Sequence, residues 1–389
     1  MDRTADGDQT TSTENGDQAD ETTAEDVSAP STVSGTWPIY YEGNPDGSNR
    51  VAMTGPEGEL VPLWTRDART LDLVLGDGYI FGSRDGQLRA LDAATGETAW
   101  TASGGSPWYA GGTVFDALSD SVVRDATTGE PLWRTEEFVP RWTDGDVPYG
   151  TVYDSQTEVR RLQRRDPQNG TLDWEYELPA DSPRTQQSLR LHVVDPDADT
   201  VIATAGSADE NQVLLGIDRE SGRRQWLADA SSLSNIYYPL SDGERLYVVT
   251  DTGLVAISYD SSTPDWQYDP DANLDPHRVA VADSRVFVVE SSGRLVGLDR
   301  ETGAVTWEQT LGEVRQSNVF VGRDSLFVST TVRTDGSWTY RTFQVALDGT
   351  IDRTVDGVFT TFVSEELLFG VTNPQGGSAS LTAYASPDS

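Results

Sequence analysis

From Trp37 onward the chain is built from short runs in which apolar and polar residues alternate, separated by turn signals. YIFGS (79–83), RLYVVT (245–250), RVFVVES (285–291) and SLFVST (325–330) have strand length and are rich in β-branched and aromatic residues. GDG (76–78), RDGQ (84–87), SDGE (241–244) and SSGR (291–294) stand between such runs as turns. No long stretch holds an apolar period of 3.6, so helices are not expected. Many short strands and no helices leave a sandwich, a barrel or a propeller.

A repeated phrase chooses among them. LDRETGAVTW (298–307) recurs as LDAATGETAW (91–100), RDATTGEPLW (124–133), RDPQNGTLDW (165–174) and IDRESGRRQW (217–226), with a worn copy, ISYDSSTPDW, at 257–266. The closing residues are Trp100, Trp133, Trp174, Trp226, Trp266 and Trp307, spaced 33, 41, 52, 40 and 41 residues apart. A period of about 40 residues with three or four short strands per unit is that of a propeller blade. A seventh unit runs from about Val314 to Val355, with LDGTIDRTV (347–355) in place of the phrase. FTTFVSE, LLFGVT and SLTAYAS near the C-terminus lack an outer strand, and ELVPLWTRD (59–67) near the other end lacks neighbours. Joining them makes an eighth blade closed by the N-terminal strand and removes two exposed edges.

The phrase has a mechanical reading, that of a blade latch. Asp92, Asp125, Asp166, Asp218 and Asp299 suit side-chain bonds to the backbone two or more residues on. Gly96, Gly129, Gly170, Gly222 and Gly303 suit a backbone with positive φ. The tryptophans supply a large planar surface to pack. Ten residues earlier a small residue often stands, namely Ala90, Gly216, Ala256 and Gly297, whereas Val123 and Arg164 hold that place in two units. These small residues are expected to receive the indole of a neighbouring blade.

Ala90 through Trp100, together with the segment 37–64, resembles the repeat of pyrroloquinoline-quinone-type propellers over roughly residues 37–386. That family includes quinoprotein alcohol dehydrogenases and a propeller lipoprotein of outer-membrane assembly. The resemblance implies an eight-bladed β-propeller and admits two functions, a non-catalytic binding scaffold or a dehydrogenase using the quinone and Ca²⁺. The enzyme reading would bring a catalytic aspartate, calcium ligands and an adjacent-cysteine disulfide. No cysteine is present, and no segment matches an enzyme motif onto which such residues could be mapped.

Charge then changes the setting rather than the fold. The chain of 389 residues carries 64 acidic side chains against 28 basic, net −36, and every basic one is arginine. Self-repulsion on this scale opposes compactness at low ionic strength. Molar salt, with a Debye length of about 3 Å, screens it. The pattern resembles that of haloarchaeal proteins, and it excludes nucleic acid as a partner, since no positive surface offsets the carboxylates. Residues 1–35 hold nine carboxylates and one arginine, with little to bury, so they are expected to form a disordered acidic tether ahead of a propeller domain over 36–389. Such tethers resemble those of halophilic surface lipoproteins. A cell-surface or extracellular protein is therefore expected, although no signal sequence and no lipid-attachment cysteine stand in the chain. No run reaches the roughly 18 apolar residues of a membrane span.

Candidate chemistry is sparse. DPDADT (195–200) and DPDANLD (269–275) resemble calcium loops but lack the glycine and the closing carboxylate, so no metal site is assigned. His192 reads as an ordinary strand residue and His277 as a loop residue. Paired carboxylates for glycoside chemistry stay open, without a pair to name. VRRLQRRD (159–166) is the one basic cluster and is read as salt-bridged. The long interval at 175–190 is a candidate binding loop, and Asn169 heads a glycosylation sequon. The expectation is thus a monomeric scaffold that binds a protein or small ligand, with no cofactor, and a quinone- and calcium-dependent dehydrogenase as the alternative.

Overall fold

The structure is a computed structural model. It describes most of residues 60–386, with Pro30, Val33 and Pro56 before them, and leaves out short segments of which 68–72, 117–120, 179–188, 196–198, 207–211 and 373–378 are the longest. The expected tether, apart from Pro30 and Val33, and most of 34–59 lie outside the described residues.

Among the described residues, thirty-two strands form eight four-stranded antiparallel sheets. Seven blades are consecutive meanders, over residues 73–103, 107–134, 139–176, 190–229, 237–268, 274–310 and 314–356. The eighth takes three strands from 358–385 and its outermost from Val61–Asp67. That strand pairs antiparallel with Ser380–Ala385, so that Val61 faces Ala385 and Asp67 faces Ser380. The ring is closed by hydrogen bonds between the two ends of the chain.

Burial follows each strand's place in its blade. Inner strands are covered on both faces by neighbouring blades, so Val213–Asp218 and Arg245–Thr250 read as nearly continuous apolar runs and are buried along almost their whole length. Outermost strands meet solvent on one side, and Val305–Thr310 and Ile351–Asp356 alternate between half-buried and exposed positions. The core therefore lies between blades. Leu75 and Ile80 of blade 1 meet Phe362 and Phe369 of blade 8, while Val74 and Phe81 on the other face of blade 1 meet Tyr109 and Val114 of blade 2. Each such fully buried side chain contributes about 1.5–3 kcal/mol. Val33 is buried in the same cluster as Trp64 and Leu75, at the seam between blades 8 and 1.

Backbone bonds define two faces. In blades 1, 2, 4, 5 and 6 the turn after the innermost strand bonds the latch turn of the same blade, as in Ala93 N–H to Gly78 O and Ala126 N–H to Gly112 O (both 2.9 Å). On the opposite face, the connections between blades bond the second-to-third hairpins, as in Gly104 N–H to Gly86 O (3.1 Å) and Leu311 N–H to Gly293 O (2.8 Å). These are called the latch face and the connection face below.

Candidate functional site

The latch residues sit on the latch face, in the turns between third and fourth strands. Oδ1 of Asp92, Asp125, Asp166, Asp218 and Asp299 accepts the backbone N–H three residues on, at 2.7–3.1 Å. The Thr127 hydroxyl holds the Asp125 carboxyl below its usual range, and the Ser221 and Thr302 hydroxyls do the same for Asp218 and Asp299. Gly96, Gly129, Gly170, Gly222 and Gly303 have φ between +67° and +72°. A Cβ on any of them would lie 2.5 to 2.7 Å from the indole of the preceding blade. That indole donates from Nε1 to a carbonyl of the same turn: Trp100 to Ala126, Trp133 to Pro167, Trp174 to Arg219 and Trp266 to Arg300, at 2.7–2.9 Å. Trp307 does the same to Leu347 O (2.9 Å) over Gly349, and Trp64 to Ala93 O (3.1 Å) over Gly96. Trp64, from the N-terminal strand, therefore latches blade 8 onto blade 1.

Two readings are corrected here. The small residues ten positions before each tryptophan do not receive a neighbour's ring. Ala90, Gly216, Ala256 and Gly297 lie directly across the sheet from Trp100, Trp226, Trp266 and Trp307 of their own blade. A ten-residue separation spans one hairpin, so it places partners in register within a blade. The neighbour's indole lands on the latch glycine instead. Trp226 departs from the rest and stacks on Tyr259 (centroids 5.5 Å apart, 24° between planes). Second, His277 lies in the strand Leu274–Ala282, not in a loop.

Asn169 is exposed in the latch turn of blade 3, and its Oδ1 accepts from Thr171 N–H at 2.8 Å. In the basic cluster, Arg161 pairs with Glu177 (2.8 Å) and Arg164 with Glu220 (2.9 Å). Arg165 bonds Gln163 and Gly170 O and lies over the Phe138 ring. Arg160 lies over the Tyr153 ring on the connection face. Of the candidate binding loop at 175–190, residues 179–188 lie outside the described residues.

The buried carboxylates are held, each within its own joint or blade. Asp144 accepts from Tyr149 and pairs with Arg219 of the next blade (3.2 Å). Asp242 accepts from Tyr247 (2.5 Å) and pairs with Arg300 of the next blade (3.5 Å). Glu290 accepts from Tyr268 (2.6 Å) and Arg294 (3.1 Å). Burial, with these carboxylates beside them, raises all three phenols above their usual range. Such residues fasten blades together, and sequence reading missed them because the partners lie 22 to 75 residues apart, except for the short Asp-to-Tyr steps and the pair Glu290 and Arg294.

What remains for binding is the rim of the central opening, formed by the innermost strands. Their sequences hold four arginines, Arg141, Arg190, Arg278 and Arg315, and both histidines, against two aspartates, Asp195 and Asp275. The whole chain has more than twice as many acidic as basic residues. Innermost strands all start at the connection face, so Arg190 and Arg315, the first and second residues of theirs, stand at that opening. Both are exposed, as is Arg141. Although Arg141 meets solvent, partial desolvation by the surrounding protein, and then Arg160 beside it, lowers its guanidinium from the usual range. His192 occupies a bulge between Leu191 and Val193, and its Nε2 lies 2.7 Å from Thr204 Oγ1. Burial, and secondarily Arg190, pushes the imidazole down to about 4, so it is neutral at pH 7. On the same face the long hairpin of blade 7 carries the exposed Trp338 opposite Arg333.

A family model described as outer membrane protein assembly factor BamB matches residues 48–268 and 266–356. The chain belongs to this family. Among solved structures it is similar to BamB from Moraxella catarrhalis, at 16% identity and a TM-score of 0.55 over 84% of this chain and all of that one. It is also similar to the quinohemoprotein alcohol dehydrogenase ADHIIG of Pseudomonas putida HK5, at 13% identity and a TM-score of 0.58 over 93% of this chain and 83% of that one. The quinohemoprotein alcohol dehydrogenase of Comamonas testosteroni gives 10% identity and 0.59, over 90% and 80%. At these identities the likeness is one of fold. No curated protein sequence matches the chain.

Among the described residues no three His, Asp or Glu side chains converge into a set that could hold a metal ion. The buried carboxylates are already engaged by tyrosines and arginines. No helix of the described chain is long and apolar enough to cross a membrane.

Proposed function

We propose that this protein is a non-catalytic scaffold, acting at the cell surface of a halophile, that binds a protein partner on the connection face. The observation that carries the reading is the arginine excess of the innermost strands in a chain that is otherwise strongly acidic. In molar salt, long-range attraction is screened within a few ångströms. What survives is short-range, bidentate pairing of guanidinium with carboxylate. An acidic partner segment lying across the opening would meet Arg141, Arg190 and Arg315, with Tyr153 and Trp338 as exposed aromatic anchors of the kind interfaces favour. Membership in an assembly-factor family agrees with a role in holding partners. The acidic composition of residues 1–35 supports a tether to the surface.

The test is a calorimetric titration of the full chain in molar KCl with an acidic peptide, a glutamate decamer. Saturable binding is expected, weakened at least ten-fold by Arg141→Ser with Arg190→Ser. Equal affinity in the variant, or no binding, would remove the opening as the docking site.

A further inference from the structure

A second site lies away from the opening, in the seam where the ring closes. Between blades 8 and 1 is a cavity of about 280 Å³, lined by Arg66 and Leu381 of blade 8 and by Leu73, Arg84, Arg89 and Leu91 of blade 1. That is close to the lower end of small-ligand pockets, about 300 Å³. Arg89 reaches this side because it shares a sheet face with Leu91, which packs against the blade 8 cluster.

The three arginines differ in what holds them. Arg66 donates from Nε to Gly96 O (2.7 Å) and from Nη2 to Thr95 O (3.1 Å). Arg84 pairs with Asp67 (3.0 Å). The Arg89 side chain makes no hydrogen bond or ion pair among the described residues, and its Nε is buried without a partner. A buried donor left unmade costs about 1–3 kcal/mol, more for a charged group. In a chain with more than two carboxylates for every arginine, leaving this one without an anion is a departure that a ligand would resolve. The cavity sums to three positive charges and one negative, Asp67, and the rest of its lining is Leu73, Leu91 and Leu381 with Gly82, Ser83 and Thr98.

We propose that the seam pocket binds a small organic carboxylate. The anionic head pairs with the Arg89 guanidinium, and the apolar body lies on Leu73, Leu91 and Leu381. Since the walls come from both ends of the chain, the ligand binds only the closed ring and stabilises it by mass action. This site is independent of the one proposed at the central opening.

Benzoate is the probe, titrated calorimetrically into the full chain in molar KCl at pH 7, with thermal unfolding followed in parallel. One site is expected, with a melting temperature that rises with benzoate. Arg89→Met should weaken binding at least ten-fold and abolish the thermal shift. Leu381→Trp, which fills the cavity and leaves every charge in place, should do the same, with circular dichroism checking that both variants fold. Inorganic phosphate, which lacks an apolar body, should bind at least ten-fold more weakly than benzoate. Absence of saturable benzoate binding, equal affinity in Arg89→Met, or phosphate binding as tightly as benzoate would each overturn the proposal.

Discussion

Six of the eight joints between blades are latched alike, by an indole seated on a glycine of the next blade, and two are not. At the joint of blades 4 and 5 the tryptophan remains, but the receiving turn has serine where its relatives have glycine, and Trp226 stacks on Tyr259 instead. At the joint of blades 7 and 8 both halves are missing. The outer strand Ile351–Asp356 has no tryptophan, and blade 8 has no turn between its third and fourth strands, because the fourth comes from the other end of the chain. Hydroxyls fill that joint: Ser329 with Thr342, Thr342 with Thr360, and Thr360 N–H to Ser329 Oγ, at 2.8–3.0 Å. Tyr340 packs on Phe359 beside them. Donor and acceptor are therefore one unit across a joint. Where the receiving blade is assembled from both ends of the chain and so lacks a latch turn, a different chemistry replaces the pair.

The largest effect should come from a latched joint. Trp174→Ala empties a buried site and is expected to cost about 3–5 kcal/mol in urea unfolding at constant KCl. Gly222→Val, which forces a β-branched residue to positive φ beneath the same ring, should be comparably damaging. Combining the two should cost clearly less than the sum of the singles, because both break one contact. Full additivity would show that the glycine serves only its own turn.

His192 gives the next effect and is read by pH. Its imidazole is pushed down to about 4 in the folded protein, whereas the unfolded chain takes up its proton near 6.5. Above pH 6.5 it has no effect on stability. As pH falls from there towards 4, stability should drop by at most about 3 kcal/mol, less to the extent that the ring keeps some exposure. His192→Gln should flatten that slope. The latch carboxylates act lower down: Asp125, Asp218 and Asp299 are held below their usual range, so what they contribute is present above about pH 3.8 and lost as pH falls through their lowered values.

How much of this was legible in the sequence follows from where each signal lies. The blade number and the N-terminal closure were legible, because Trp100, Gly129 and their counterparts recur for a geometric reason that no other residue meets. The pairing of indole to glycine was not, since Trp133 and Gly170 are read as members of two separate phrases. The ring of arginines was also hidden. Arg141 and His192 stand at bulges, which shift the register by one residue and interrupt the alternation that marks a strand. VPRWT and LRLHVVD show that interruption only once the strands are known to be innermost.

The two unlatched joints should respond more mildly. Thr342→Val takes away the buried hydroxyl that bonds Ser329, Thr360 and Val358 O, and is expected to cost about 1–3 kcal/mol. Trp226 and Tyr259 should show a coupling of about 0.5–1.5 kcal/mol in a double-mutant cycle, the smallest of the series. A coupling as large as that of Trp174 with Gly222 would mean that a stacked pair fully replaces the latch.

The central claim, that this propeller binds without catalysing, is tested most directly by titrating the full chain with pyrroloquinoline quinone and Ca²⁺ in molar KCl, followed by cofactor absorbance and calorimetry. We expect no stoichiometric, calcium-dependent binding while circular dichroism shows the protein folded. Stoichiometric binding that requires Ca²⁺ would contradict the scaffold and make the protein an enzyme.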